Sequence, residues 1–242
     1  MQDLYVVYLD RHHLGDDLFL KSLAQHFADA GTQGPPCILV HGSGEKVERT
    51  LEAQGYFPDR TGGVLDVETD EQRRLVERAV REVNQDIVAA LTDEVVPTVG
   101  IQGVDRGLFH QDADGALKAA NVGWVSALLK QHVVPVVSAL VEVSEAGVVR
   151  EVPAVEAVRA LAQALEASFD PVVCVLSTGD VPGVFGDEEE REETVQAGAV
   201  TEDDVPDPAV IRRLTEASLP VLVTNLQGLL SGPEVTGTYV KE

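Results

Sequence analysis

Short valine-rich runs recur along this chain, each closed by glycine, proline or charge before a helix-patterned segment begins. The runs are apolar at successive positions rather than alternate ones, which suits strands covered on both faces, the condition of a parallel sheet. Residues 4–9, 38–40, 95–101, 172–176, 220–224 and 237–240 read as such strands, and 133–143 reads as strand material broken by Pro135. Helical spacing fills the intervals. It runs over 17–30, with Leu18, Leu20, Leu23 and Phe27, over 45–54, and from Thr69 to about Ala79 or beyond, with a further stretch at 87–91. Later helices are predicted over 124–131, over 154–167 with Val155, Val158, Leu161, Ala162 and Leu165 on one face, and over 209–217. Residues 103–115 read as a glycine-rich loop. Strands alternating with helices predict an α/β protein, a three-layer αβα sandwich with a mainly parallel central sheet.

A chain of 242 residues supports one such domain with a substantial core. The net charge of −23 repels phosphate backbones and anionic membranes, so no nucleic-acid and no membrane partner is expected. Lysine is confined to Lys21, Lys46, Lys118, Lys130 and Lys241, and a carboxylate excess of this kind suits a halophilic protein working in concentrated salt. The two cysteines, Cys37 and Cys174, sit inside apolar runs and read as buried, reduced thiols of a cytoplasmic protein. No signal peptide and no membrane-spanning run is read from the sequence.

Three places have the residue types of a ligand site. Gly42-Ser43-Gly44 ends a strand and opens a helix, where backbone amides can hold a carboxylate or a phosphate; the same residues also make a plain tight turn. Asn84 offers an amide to a substrate, or else faces solvent or caps its helix. Asp180 and Gly183 bracket a turn after an apolar strand. His12 and His13 lie beside Asp10, Asp16 and Asp17, but neighbouring residues of an extended segment point apart, so a solvated loop is expected and no metal site. The acidic run 187–193 reads as a solvated loop or helix start, Trp124 as core or subunit contact, and His41 as packing at a strand end.

Taken in order, the motifs Val40-His41-Gly42-Ser43-Gly44, Val83-Asn84-Gln85-Asp86-Ile87-Val88, Val99-Gly100-Ile101-Gln102-Gly103-Val104-Asp105, Val122-Gly123-Trp124-Val125, Val134-Pro135-Val136-Val137, Asp180-Val181-Pro182-Gly183-Val184 and Gly237-Thr238 resemble the amino-acid kinase family, and within it the N-acetylglutamate kinases of arginine biosynthesis. They span nearly the whole chain. The resemblance implies the amino-acid kinase or carbamate kinase-like fold over 1–242, with an acyl-amino-acid lobe at 1–165 and a nucleotide lobe at 166–242. It also implies phosphorylation of the γ-carboxylate of N-acetylglutamate with ATP and Mg, substrate contacts at Gly42, Ser43, Gly44 and Asn84, nucleotide contacts at Asp180 and Gly183, a small acidic amino-acid derivative as ligand, and a homodimer or higher homo-oligomer.

Bringing two anions together for phosphoryl transfer requires cations and closely approaching backbone amides. Several positions that supply these in the family hold other residues here. The lysine ending the first strand falls at Tyr8, and the paired glycines after it fall at Asp10 and Arg11. The substrate arginine falls at Val67, and the Asn-x-Asn-Ala-Asp motif falls on Glu151-Val152-Pro153-Ala154-Val155. The later lysine falls at Ala209, after Pro208. The expectation is therefore a weakly active or inactive kinase. The alternatives are an active acylglutamate kinase using Arg11 with Arg212 or Arg213 as replacement cations, and a non-catalytic regulatory or structural subunit. Arg212 and Arg213 are expected on a solvent-facing helix.

Overall fold

The computed structural model describes residues 1–112, 114–143, 147–186, 190–232 and 235–242. Eight strands form the central sheet: β1 (Asp3–Leu9), β2 (Cys37–His41), β3 (Thr98–Gln102), β4 (Val134–Ser138), β5 (Asp170–Leu176), β6 (Thr194–Gln196), β7 (Val221–Thr224) and β8 (Thr238–Lys241). Their order across the sheet is β6-β8-β7-β5-β1-β2-β4-β3. Every neighbouring pair is parallel except β7 with β8.

Successive residues of each strand serve different layers. Leu4 and Val6 of β1 join Ile38, Val40, Val173 and Val175 on one face of the sheet, whereas Tyr5, Val7 and Leu9 join Cys37, Leu39 and Leu176 on the other. Because both faces are buried, the strands are apolar throughout, as the sequence pattern required. The first face is covered by α4 (Gly123–Leu129), α5 (Ala154–Leu165) and α6 (Pro208–Thr215). The second is covered by α1 (Asp17–Ala30), α2 (Glu45–Glu52), α3 (Asp70–Asp93) and α7 (Leu226–Leu230). The fold is the three-layer αβα sandwich.

Helix boundaries follow local chemistry. Asp16 Oδ1 caps α1 by accepting from the Leu18 amide at 2.8 Å, and Gly31 ends it with a φ of 52°. Thr69 and Gln72 form a capping box at the start of α3. That helix then runs unbroken to Asp93, where the sequence suggested two separate stretches. Its polar middle conceals the continuity: Val83 and Asn84 are buried, while Glu82, Gln85 and Asp86 are not.

Pro135 does not break its strand. It lies within β4 opposite Val99, and pairing to β2 starts one residue later at Val136, so the missing N–H costs no bond to β2. The break comes at Ala139, whose amide donates to the His41 carbonyl at 2.8 Å. The chain then leaves the sheet as an antiparallel ribbon, Leu140–Glu142 with Val149–Glu151. Residues 103–115 contain a one-turn 3-10 helix (Asp105–Gly107) and the strand Phe109–Gln111, which pairs with Leu117–Ala119, so this segment is structured rather than a loop. The acidic run at 187–193 lies, for 187–189, outside the described residues.

Candidate active site

A cleft of about 420 Å³ opens where β1 and β2 end, the carboxyl edge at which open parallel sheets bind ligands. Its floor is Tyr8, Leu9, Asp10 and the turn residues Gly42 and Ser43. One wall is α2, through Glu48 and Glu52, together with a small hairpin that pairs Arg60–Thr61 with Val64–Leu65. Gly62 and Gly63 turn that hairpin with φ values of 64° and 91°, which only glycine adopts freely. The opposite wall is formed by the first residues of α5 and α6: Ala154 and Val155, then Asp207, Ala209, Val210 and Arg213.

Asp10 belongs to the protein's own turn. Its Oδ1 accepts from the amides of His12 (2.8 Å) and His13 (3.0 Å), and its Oδ2 lies 2.7 Å from His13 Nδ1. Burial by itself would raise the Asp10 carboxyl, but His13 and the two amides outweigh burial and hold it below the ordinary range. His12 turns instead to Glu45, 2.9 Å away, so the two histidines go to different partners. They sit on a 3-10 turn (His13–Gly15), not on an extended segment. Among the described residues no group of three metal-ligating side chains is present. Tyr8 lies near the end of β1, and burial pushes its phenol up, with Asp10 adding to the shift.

The cations of the cleft are largely committed. Arg60 pairs with Glu48 and also donates to the carbonyls of Gly63 (2.7 Å) and Ser43 (3.4 Å). Arg11 reaches the same Glu48 at 3.5 Å. Arg213 lines the cleft and donates to the Gly62 carbonyl at 3.1 Å, joining α6 to the hairpin. Arg213 is exposed, as expected, and reaches the cleft from its rim; Arg212 is exposed and absent from the described lining. Ala209 is in the cleft as expected, but its amide is taken by Asp207 Oδ1, which caps α6 at 3.1 Å. Val67 is not part of the described lining.

The turn Gly42-Ser43-Gly44 is in place, and its glycines serve close packing. A Cβ at 42 would stand 2.7 Å from Glu151 Oε1, and one at 44 would stand 2.8 Å from Leu14 Cβ. The Ser43 amide donates to Glu151 Oε1. Glu151 is buried at the end of the ribbon, and burial raises its carboxyl above the usual range against the pull of Ser43 and Arg60. Asn84 is buried behind the cleft. It neither faces solvent nor lines the cavity, and its amide is given to His41 and to the Val136 carbonyl. His41 packs at the end of β2 as expected and is fully buried.

Asp180 and Gly183 line a second cavity of about 450 Å³, beyond the end of β5, with Val181, Phe185, Asp203 and Asp204. No described cation borders it. Thr238 ties this loop to β8: its Oγ1 lies 2.9 Å from the Val184 amide and donates to the Glu192 carbonyl at 2.6 Å. The terminal Gly-Thr motif therefore holds the Asp180–Val184 turn in place. Sequence reasoning missed Arg60 and the Glu151–Ser43 contact. The Gly62-Gly63 pair, a hairpin signal just after Arg60, was the sign that could have located the arginine.

Comparison with known proteins gives the family of this chain. Residues 10–218 match the model of the amino acid kinase family. An acetylglutamate kinase of Methanopyrus kandleri is 34% identical over 233 residues, covering 84% of this chain and 90% of the relative. Another, from Acidobacterium capsulatum, is 29% identical over 239 residues, covering 94% of this chain and 87% of the relative. Among solved structures, smu.665 of Streptococcus mutans UA159 superposes with a TM-score of 0.67 at 19% identity, over 100% of this chain and 99% of that one. The chain belongs to the amino acid kinase family.

Proposed function

We propose that this protein is an acetylglutamate kinase homologue of arginine biosynthesis whose phosphotransfer is weak or lost. One observation carries the reading: at the floor of the cleft, Tyr8 and a buried Asp10 stand where the family reaction needs a lysine and close backbone approach. The site does not fit MgATP. The Asp180 cavity is bordered by three carboxylates, those of Asp180, Asp203 and Asp204, and the described arginines of the main cleft are held by Glu48 or by carbonyls. In this reading 1–165 is the lobe for a small acidic amino-acid derivative, 166–242 is the remnant of the nucleotide lobe, and the protein works in the cytoplasm as a homodimer or higher homo-oligomer in concentrated salt.

A second reading, an active kinase with a rearranged site, draws its support from Arg213, which is placed in the cleft with no described carboxylate within ion-pair distance. Calorimetric titration in concentrated KCl with MgATP and with N-acetylglutamate, followed by a phosphotransfer assay, separates the two. Saturable MgATP binding with turnover would overturn the proposal. Binding of the amino acid without nucleotide supports a regulatory role.

A further inference from the structure

The turn that ends β2 lines the cleft through Gly42 and Ser43, and the Ser43 amide is occupied by a buried residue that lies outside the described lining. Glu151 Oε1 accepts from it, and Gly42 supplies the space, since a side chain there would collide with the same oxygen. The carboxylate arrives from 108 residues away on the ribbon that follows Ala139. It is 8% exposed, and its Oε2 has no hydrogen-bond partner among the described residues. No described cation touches it. Arg60 acts on it only through space, its own guanidinium being committed to Glu48 and to the Gly63 and Ser43 carbonyls. A group buried this way costs stability unless another constraint keeps it.

We propose that Glu151 is the specificity-determining residue of the cleft. It is an internal carboxylate that holds the place of a ligand carboxylate on the Ser43 amide, shuts carboxylate-bearing acceptors out of the turn, and leaves Arg213 at the rim to take a ligand's anionic end. A second carboxylate cannot share the single amide. The inference rests on the cleft being the ligand site of the proposed function, and it deepens that reading by giving the glycine turn an internal partner.

The test is calorimetry without nucleotide, using N-acetyl-L-glutamate as the probe, on the wild type, Glu151→Ala, Glu151→Gln and the double variant Glu151→Ala with Arg213→Ala. Glu151→Ala is expected to bind at least about tenfold more tightly than the wild type, and loss of Arg213 is expected to reverse most of that gain. Glu151→Gln keeps shape and acceptor while removing the charge, and is expected to gain about threefold. It also serves as the deciding variant if Glu151→Ala fails to fold. Equal affinity of the wild type and a folded Glu151 variant would overturn the inference. The failures are distinguishable: phosphotransfer by the wild type sinks the weakened-kinase reading, whereas equal affinities without nucleotide sink only this one.

Discussion

Asn84 and His41, 43 residues apart in sequence, complete each other's hydrogen bonds between α3 and the sheet: Asn84 Nδ2 lies 3.0 Å from His41 Nε2 and 2.9 Å from the Val136 carbonyl. The amide has two hydrogens and uses both, so Nε2 is the acceptor and Nδ1 bears the proton, donating to the Gly42 carbonyl at 2.9 Å. Gly100 makes room for the pair, because a Cβ there would lie 2.4 Å from Asn84 Oδ1. The arrangement holds the end of β2, and with it the turn at the floor of the cleft.

Asn84→Ala leaves two buried acceptors without donors and opens a small cavity, so it should lower stability by about 3 kcal/mol in urea titration. A substrate-binding residue would behave differently, losing ligand affinity with stability nearly unchanged. That result would contradict the structural role.

The buried imidazole also sets a pH dependence. Burial lowers the His41 pKa to about 4, with the Gly42 carbonyl opposing it weakly. The folded protein therefore keeps His41 neutral where the unfolded chain takes up a proton at its ordinary value near 6.5. Stability from this group is level above about pH 6.5 and falls as pH drops from there towards 4, by about 3 kcal/mol in all, at about 1.4 kcal/mol per pKa unit. Glu151 works in the other direction: its raised folded pKa gives stability at low pH that is lost as pH rises. Comparing wild type with His41→Gln isolates the first effect, since only the wild type should show the loss between pH 6.5 and 4. An imidazole NMR titration with a midpoint near 6.5 would refute the assignment.

Gly183 answers to backbone geometry before any nucleotide. Its φ is 106°, and an added Cβ would lie 2.6 Å from Thr238 Oγ1 and 3.1 Å from the Arg191 side chain. Gly183→Ala should cost about 2–4 kcal/mol in chemical denaturation, and Thr238→Val about 1–2 kcal/mol. The double variant should cost less than the sum, because the valine removes the hydroxyl that the new methyl strikes. Strict additivity would show that the two residues are not coupled.

How much of this was legible in sequence depended on the range of the forces involved. The bounds of α1 could be read at both ends because capping at Asp16 and the φ of Gly31 are decided within a turn of chain. The core strands could be read because burial on both faces makes them apolar throughout. The edge strand β6, reading Thr-Val-Gln, carries too few apolar residues to show a period, and α7, reading Leu-Gln-Gly-Leu-Leu, is too short to establish one; neither was foreseen. At the site, the glycines at 42 and 44 marked the turn, but what they accommodate lies far away in sequence. Glu151 reaches Ser43 only because the chain leaves the sheet at Ala139 and returns along the ribbon. Arg213 is rightly read as solvent-facing, but its bond to the hairpin at Gly62 could not be seen, because that hairpin belongs to another part of the chain.

On the proposed function, placing at the end of β1 the residues that the family resemblance implies tests whether the cleft can carry kinase chemistry. Asp10 binds two amides and contacts His13, so Asp10→Gly should lose about 2–3 kcal/mol, more than an exposed carboxylate could. Asp10→Asn keeps the oxygen that receives the amides but loses the ionised partner of His13, and should lose about 1 kcal/mol. Because Asp10 is held below its ordinary pKa, its contribution is present above the unfolded value of about 3.8 and disappears as pH falls through the folded one. The gap between wild type and Asp10→Gly should therefore close in acid. Combining Tyr8→Lys with Asp10→Gly brings back a cation and a glycine but leaves Glu151 on the Ser43 amide. The double variant should show no phosphotransfer to N-acetylglutamate, and adding Glu151→Ala should be needed before any turnover is detected. Turnover in the double variant alone would show that Glu151 is no obstacle to an acceptor carboxylate.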